Sequence, residues 1–201
     1  MKRTTFSIVN HRLVGNKVVH LVCAKNTCKL VEPDMIVLHY TAGVNMMSSA
    51  LYLTRPDVAA SAHVVIGRDG KAVQLVPFNI EAWHAGRSFY AGRAELNHSS
   101  IGIELDNLGK LRLEGSVFLA ECGREVPSEE VFADCSSGEL TYWHRYTEVQ
   151  VRALTWVCQL LQENYPIRYI VGHSDITSRK SDPGPGLEEA GFINFKFYIL
   201  N

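Results

Sequence analysis

The sequence has 201 residues, 46% of them hydrophobic, with 20 Lys+Arg against 21 Asp+Glu. That length supports one good core and is short for two domains. A net charge of -1 supplies no positive field to gather phosphates, which argues against a nucleic-acid partner. No apolar run approaches the roughly 18 to 20 residues that span a bilayer, so no membrane partner is expected.

In chain order, MKRTTFSIVNHRL carries basic residues without the apolar stretch of a secretory signal, and the chain is expected to start out cytoplasmic. Segments 12–14 and 17–22 flank Gly15-Asn16 and predict a hairpin, in an N-terminal extension spanning 1–33 and packed on the domain that follows. DMIVLHY (34–40) is a β-branched run and predicts a buried strand. Asn45 is placed to cap a short helix reaching about Leu53. AHVVIG (62–67) and KAVQLV (71–76) flank Asp69-Gly70 and predict a second hairpin, and SIGIELD (100–106) a further strand. The clearest helix is 147–165, where Thr147 and Gln150 form a capping box and Val151, Leu154, Val157, Cys158, Leu161 and Tyr165 share one face. IRYIVGH (167–173) then predicts a strand, and DPGPG (182–186) an irregular loop before a short C-terminal helix.

These elements predict an α/β fold, a mixed central β-sheet flanked by helices, in a single compact domain over 34–201. Segment 108–146 shows no period and is expected to be an irregular insertion that walls one side of a groove. Cys23, Cys28, Cys122, Cys135 and Cys158 include no C-x-x-C pair, so a zinc ribbon and a thioredoxin-like site are not indicated. Their odd number leaves a free thiol, in keeping with a reducing compartment. Pairing of Cys23 with Cys28, or Cys122 with Cys135, is expected only in an exported protein.

Among eight histidines, His39 and His173 each end a buried-looking strand with a loop following. Adjacent strand ends would bring both imidazoles to one rim of the sheet, where ligand sites of α/β folds gather. Asp182 follows in a loop stiffened by Pro and Gly. Two His, one carboxylate and an open fourth position form a catalytic zinc set.

IVLHYTAG (36–43), SAHVVIGRDGKAVQLVP (61–77), AWHAGRS (82–88), LNHSSIGIELDN (96–107), YTEVQVRAL (146–154) and IVGHSDITSRKSDPGPG (170–186) occur in this order. Together they resemble the zinc-dependent N-acetylmuramoyl-L-alanine amidases of the type-2 family, over roughly residues 34 to 190. That family includes recycling amidases, phage lysozyme-type amidases and, more distantly, peptidoglycan recognition proteins.

The resemblance implies one zinc ion (Zn2+) per chain, held by His39, His173 and Asp182. It implies Glu104 as general base and Lys180 as the group that offsets charge on the tetrahedral intermediate. Some phage members carry a catalytic Tyr just before the residue matching His63; here that position is Ala62, which leaves Glu104 as the base. His84, in AWHAG, would lie beside the site and contact substrate or the attacking water. The expected substrate is a peptidoglycan fragment or muropeptide, cut between N-acetylmuramic acid and L-alanine of the stem. Arg87, Arg93 and Asn97, just after AWHAG, are candidates for holding its carboxylates and amides. The chain is expected to act as a monomer.

Three roles share such a site: recycling of soluble anhydro-muropeptides, lysis of intact wall by a phage enzyme, and attack by a delivered toxin. A catalytically weak peptidoglycan-binding or regulatory module is the alternative in another class. Asp182, Glu104 and Lys180 argue against it, because binding alone needs none of them.

Overall fold

The computed structural model describes residues 6–192. The chain opens with β1 (Ser7–Val9) and β2 (Arg12–Val14), then β3 (Val18–His20), β4 (Met35–Tyr40), α1 (Met46–Thr54), β5 (Val64–Ile66) and β6 (Ala72–Gln74). A two-stranded ribbon, β7 (Phe89–Tyr90) and β8 (Arg93–Ala94), precedes β9 (Ser100–Leu105). Five short strands follow: β10 (Lys110–Glu114), β11 (Val117–Ala120), β12 (Glu125–Val126), β13 (Val131–Asp134) and β14 (Thr141–His144). The fold closes with α2 (Glu148–Asn164), β15 (Tyr169–Gly172), α3 (His173–Ile176) and α4 (Gly186–Glu189).

The main sheet has the order β15-β4-β9-β5-β6-β3. It is mixed: β15, β4, β9 and β5 run parallel, whereas β5 and β6 form an antiparallel hairpin whose turn contains Gly70 at φ +73°. Left-handed backbone at that turn is what the Asp-Gly pair supplies without steric cost. Strand β4 is buried on both faces except at Tyr40, which explains its unbroken apolar run.

Helix α2 covers one face of this sheet. Thr147 caps it by accepting from the Gln150 N–H. Leu154, Val157, Cys158 and Leu161 are fully buried and pack with Ile36, Leu38, Ile101, Ile103 and Leu105. Each such aliphatic side chain contributes about 1.5 to 3 kcal/mol relative to exposure. Gln150 ties the helix to the strand ends, donating from Nε2 to the carbonyls of Ile66 (3.0 Å) and Asp106 (3.1 Å). With α2 on the face that carries Ile36 and Leu38 of β4 and Ile101, Ile103 and Leu105 of β9, His39 and its register partner Glu104 emerge on the other face.

Two expectations are corrected here. The N-terminal hairpin is not 12–14 with 17–22: β2 pairs with β1 around Asn10 and His11, both in the left-handed region (φ 49° and 62°). That backbone suits a two-residue hairpin turn, while β3 instead joins the main sheet parallel to β6. Residues 1–5 of the expected extension lie outside the described residues.

Segment 108–146 is not irregular either. It folds as a five-stranded antiparallel sheet, order β12-β11-β10-β14-β13, over a small core of Leu108, Leu111, Ala120, Val126 and Val131. All five cysteines are free, with Cys23 and Cys158 buried. No helix among the described residues is long and apolar enough to cross a membrane.

Candidate active site

Strand pairing builds the site. Gly172, the last residue of β15, pairs with Leu38 of β4, so the next residues, His173 and His39, stand side by side. His173 opens α3 instead of ending the strand, because the Asp175 carboxylate accepts from the Gly172 N–H (2.8 Å) and turns the chain there. Asp182 completes the group from the following loop.

The three donor atoms converge. His39 Nδ1 lies 3.0 Å from His173 Nδ1 and 2.9 Å from Asp182 Oδ2, and His173 Nδ1 lies 3.0 Å from the same oxygen. Tetrahedral zinc with bonds of about 2.0 Å spaces its donors about 3.3 Å apart. The observed triangle is within a few tenths of an ångström of that spacing, so the set fits a single small cation. All three residues are buried. Burial raises the Asp182 pKa, but hydrogen bonds with His173 and His39 outweigh it and hold the carboxyl below the ordinary carboxylate range. Burial pushes His39 down despite Asp182, which favours the uncharged imidazole that a metal ligand needs.

Glu104 sits beside this cluster as the register partner of His39. Its Oε2 is sealed from solvent and has no hydrogen-bond partner among the described residues. Burial, reinforced by the Asp182 charge and opposed by Lys180, pushes its pKa up to about 8. The cleft of about 440 Å³ in front of these groups also takes in Tyr40, Trp83, Glu121, Arg179 and Lys180.

The second sheet supports the ligand loop. Tyr146 donates from its hydroxyl to the Pro183 carbonyl (2.8 Å), and the Trp143 ring packs against Gly184. Tyr40 and Ser181 hydrogen-bond through their hydroxyls at 2.8 Å.

The remaining candidates divide. His84 is in the site, with Nδ1 3.1 Å from His39 Nε2. Asn97 Oδ1 accepts from the N–H groups of His84 (3.0 Å) and Ala85 (2.8 Å), which places this side chain behind the His84 backbone. Arg93 points to the wrong end of the sheet, where its guanidinium pairs with Asp34 (3.0 Å) ahead of β4. For Arg93, nearness in sequence to AWHAG did not fix which end of the sheet the side chain reaches. Arg87 lies outside the main cleft, along a neighbouring hollow shared with Ser174 and Thr177. Tyr40, Glu121, Trp143, Tyr146 and Arg179 were not singled out from the sequence; for Tyr40, adjacency to His39 was the available signal.

Residues 29–185 match the model of the N-acetylmuramoyl-L-alanine amidase family. The chain belongs to this family. It is 34% identical over 156 residues to the 1,6-anhydro-N-acetylmuramyl-L-alanine amidase AmpD of Escherichia coli K12, covering 76% of this chain and 67% of that protein. Identity to AmpD of Citrobacter freundii is 38% over 135 residues, or 66% of this chain and 54% of that one. The chain thus spans between about half and two thirds of the length of these curated relatives.

Among solved structures, a selenomethionine derivative of AmpD superposes with a TM-score of 0.64 at 28% identity, over 92% of this chain and 96% of that one. The E. coli amidase AmiD, solved with anhydro-N-acetylmuramic acid-L-Ala-D-γ-Glu-L-Lys, gives 0.59 at 26% identity, over 92% and 65%. The family's members act on an amide, and a His-His-Asp cluster with an adjacent buried carboxylate has the parts for hydrolysing one.

Proposed function

We propose that this amidase-family chain, as a monomer in the cytoplasm, hydrolyses the amide between anhydro-N-acetylmuramic acid and L-alanine of soluble muropeptides. His39, His173 and Asp182 would hold one zinc ion. The ion would supply Lewis-acid chemistry, polarising the scissile carbonyl and acidifying water. Glu104 takes a proton from the attacking water on its carboxylate and returns it to the leaving amine as the C–N bond breaks, a role worth about 10² to 10⁴-fold. Its raised pKa suits that exchange, because a group poised near neutral pH both accepts and donates. Lys180, on the same cleft wall, offsets the charge that develops on the carbonyl oxygen.

The observation that carries this reading is the convergence of the three ligands and the unpartnered Glu104 oxygen in one cleft. The anhydro form is favoured by the AmpD relatives, which are 1,6-anhydro-N-acetylmuramyl-L-alanine amidases. The test offers purified, zinc-loaded protein soluble anhydro-muropeptides and intact sacculi side by side, read by mass spectrometry. Free stem peptide released from the soluble pool, lost with chelator and restored by zinc, is the expected result. Rapid release from sacculi alone would overturn the recycling role, and ligand binding without turnover of either would overturn the hydrolase.

A further inference from the structure

We propose that His84 is a positioning residue that holds His39 in the tautomer and orientation that aim Nδ1 at Asp182 and His173. The proposal rests on the metal reading above and deepens it.

A neutral imidazole has one donor and one acceptor nitrogen. For His39 Nδ1 to offer a lone pair beside Asp182 Oδ2 and His173 Nδ1, its proton must sit on Nε2. That nitrogen is buried, 3.1 Å from His84 Nδ1. His84 Nδ1 is then the acceptor, and the His84 proton sits on Nε2. This N–H faces Ser100, 3.4 Å from its carbonyl oxygen and 3.3 Å from Oγ. Ser100 is free to accept, because its own hydroxyl proton is committed to the Leu96 carbonyl (2.6 Å). One proton assignment therefore satisfies the whole relay, from His39 through His84 and Ser100 to a backbone carbonyl.

The relay is held from both sides. Asn97 Oδ1 accepts from the N–H groups of residues 84 and 85 and fixes the backbone that carries the ring. The ring lies against Gly102, where a Cβ would overlap it, so this strand has room for an imidazole only because residue 102 is glycine. With both ring nitrogens engaged, His84 is committed to His39 and does not hold substrate. Nor does it join the ligand cluster, since its Nδ1 meets the far nitrogen of His39.

Outer groups that orient a metal-bound His are worth roughly 10- to 100-fold in metal affinity. The experiment measures zinc affinity by chelator competition for the parent, His84→Phe and His84→Gln, with melting of each metal-free protein alongside. His84→Phe keeps a ring without an acceptor and is expected to bind zinc roughly 10- to 100-fold more weakly; His84→Gln, which keeps an acceptor oxygen, recovers most of that loss. Parent-like affinity in His84→Phe overturns the proposal. So does an equal loss in both variants that follows their loss of melting temperature, since that is the signature of packing alone.

Nitrogen NMR of the zinc-loaded parent gives a readout independent of any variant's folding. A slowly exchanging proton on His39 Nε2, bonded to His84 Nδ1, is expected, and an Nε2 that carries no proton overturns the assignment. A folded parent that takes up no zinc overturns the metal reading itself.

Discussion

His39 and Glu104 are direct register partners on the parallel strands β4 and β9, facing each other at the carboxyl ends of the sheet. Side chains paired this way leave the same face, so a ligand and a carboxylate are delivered together by backbone hydrogen bonding alone. The relationship carries a cost. Glu104 is pushed up to about 8 by burial, with Asp182 adding to the shift and Lys180 opposing it. A group whose folded pKa lies above its usual 4.5 contributes stability that is complete below 4.5 and is lost as pH rises through about 8. Glu104→Gln is therefore expected to keep zinc, lose hydrolysis by at least about 10²-fold, and make the metal-free protein more resistant to urea at pH 8. That advantage should shrink toward pH 4.5. Equal urea midpoints for parent and variant at pH 8 would refute the burial argument, and normal turnover would refute the base assignment.

His63 titrates in the other direction. It is fully buried, its Nε2–H donates to the Ile80 carbonyl (2.9 Å), and its Nδ1 accepts from the Gly102 N–H (3.0 Å). A proton on Nδ1 would break the second bond, and burial lowers its pKa from 6.5 to about 4. The unfolded chain takes up that proton first, so stability is complete above pH 6.5 and declines as pH falls toward 4. The full difference corresponds to about 3 kcal/mol. His63→Gln should flatten the decline in urea midpoint between pH 7 and pH 5, and a parallel decline in both proteins would show that other groups drive it.

How much of this was legible beforehand follows from burial. Strands β4 and β9 are covered on both faces, so they stand out as apolar runs, and α2 shows its face because one side packs on the main core. The second sheet had no such signal. Its strands are two to five residues long, and its core holds only Leu108, Leu111, Ala120, Val126 and Val131. The hairpin at Gly15-Asn16 was misplaced because the positive φ fell on Asn10 and His11, which composition does not flag as strongly as glycine. That His39, His173 and Asp182 lie together was readable from motif order, but the bonds of Asn97 to His84 and of Arg93 to Asp34 depend on contacts across the fold.

Lys25 predicts a separable effect on substrate binding. Its ammonium donates to three carbonyls, those of Arg55 (2.9 Å), Val58 (2.7 Å) and Ala60 (2.8 Å), and lies 5.9 Å from the centre of the Trp83 ring. Ala60 and Trp83 belong to the cleft wall, so this one side chain pins the wall from behind. Lys25→Ala is expected to cost about 1.5 to 3 kcal/mol of stability and to raise KM with kcat little changed. Lys25→Arg should not rescue it, because a planar fork does not fit three converging acceptors. Steady-state kinetics on a soluble muropeptide, with melting curves, check both. Loss of stability without a change in KM would mean that the wall does not move.

Glu121 predicts substrate selectivity. The tip between β11 and β12 is anchored at one side by Arg124, which donates to the Val44 carbonyl (2.9 Å), and places Glu121 on the cleft that Arg179 and Lys180 also line. A carboxylate there favours a stem peptide that bears an ammonium, such as the L-Lys of the compound bound to AmiD. Deleting the whole second sheet would not isolate this effect, because Tyr146 and Trp143 also brace the 182–184 loop. The point change Glu121→Lys is expected to lower kcat/KM for the lysine-containing substrate by roughly 5-fold at low salt, consistent with a solvent-screened charge pair. The same substrate acetylated on its lysine amine should be nearly unaffected, and the difference should fade as salt shortens the reach of the charge. Equal losses on both substrates, or a loss that salt leaves untouched, would assign Glu121 to the shape of the wall instead of its charge.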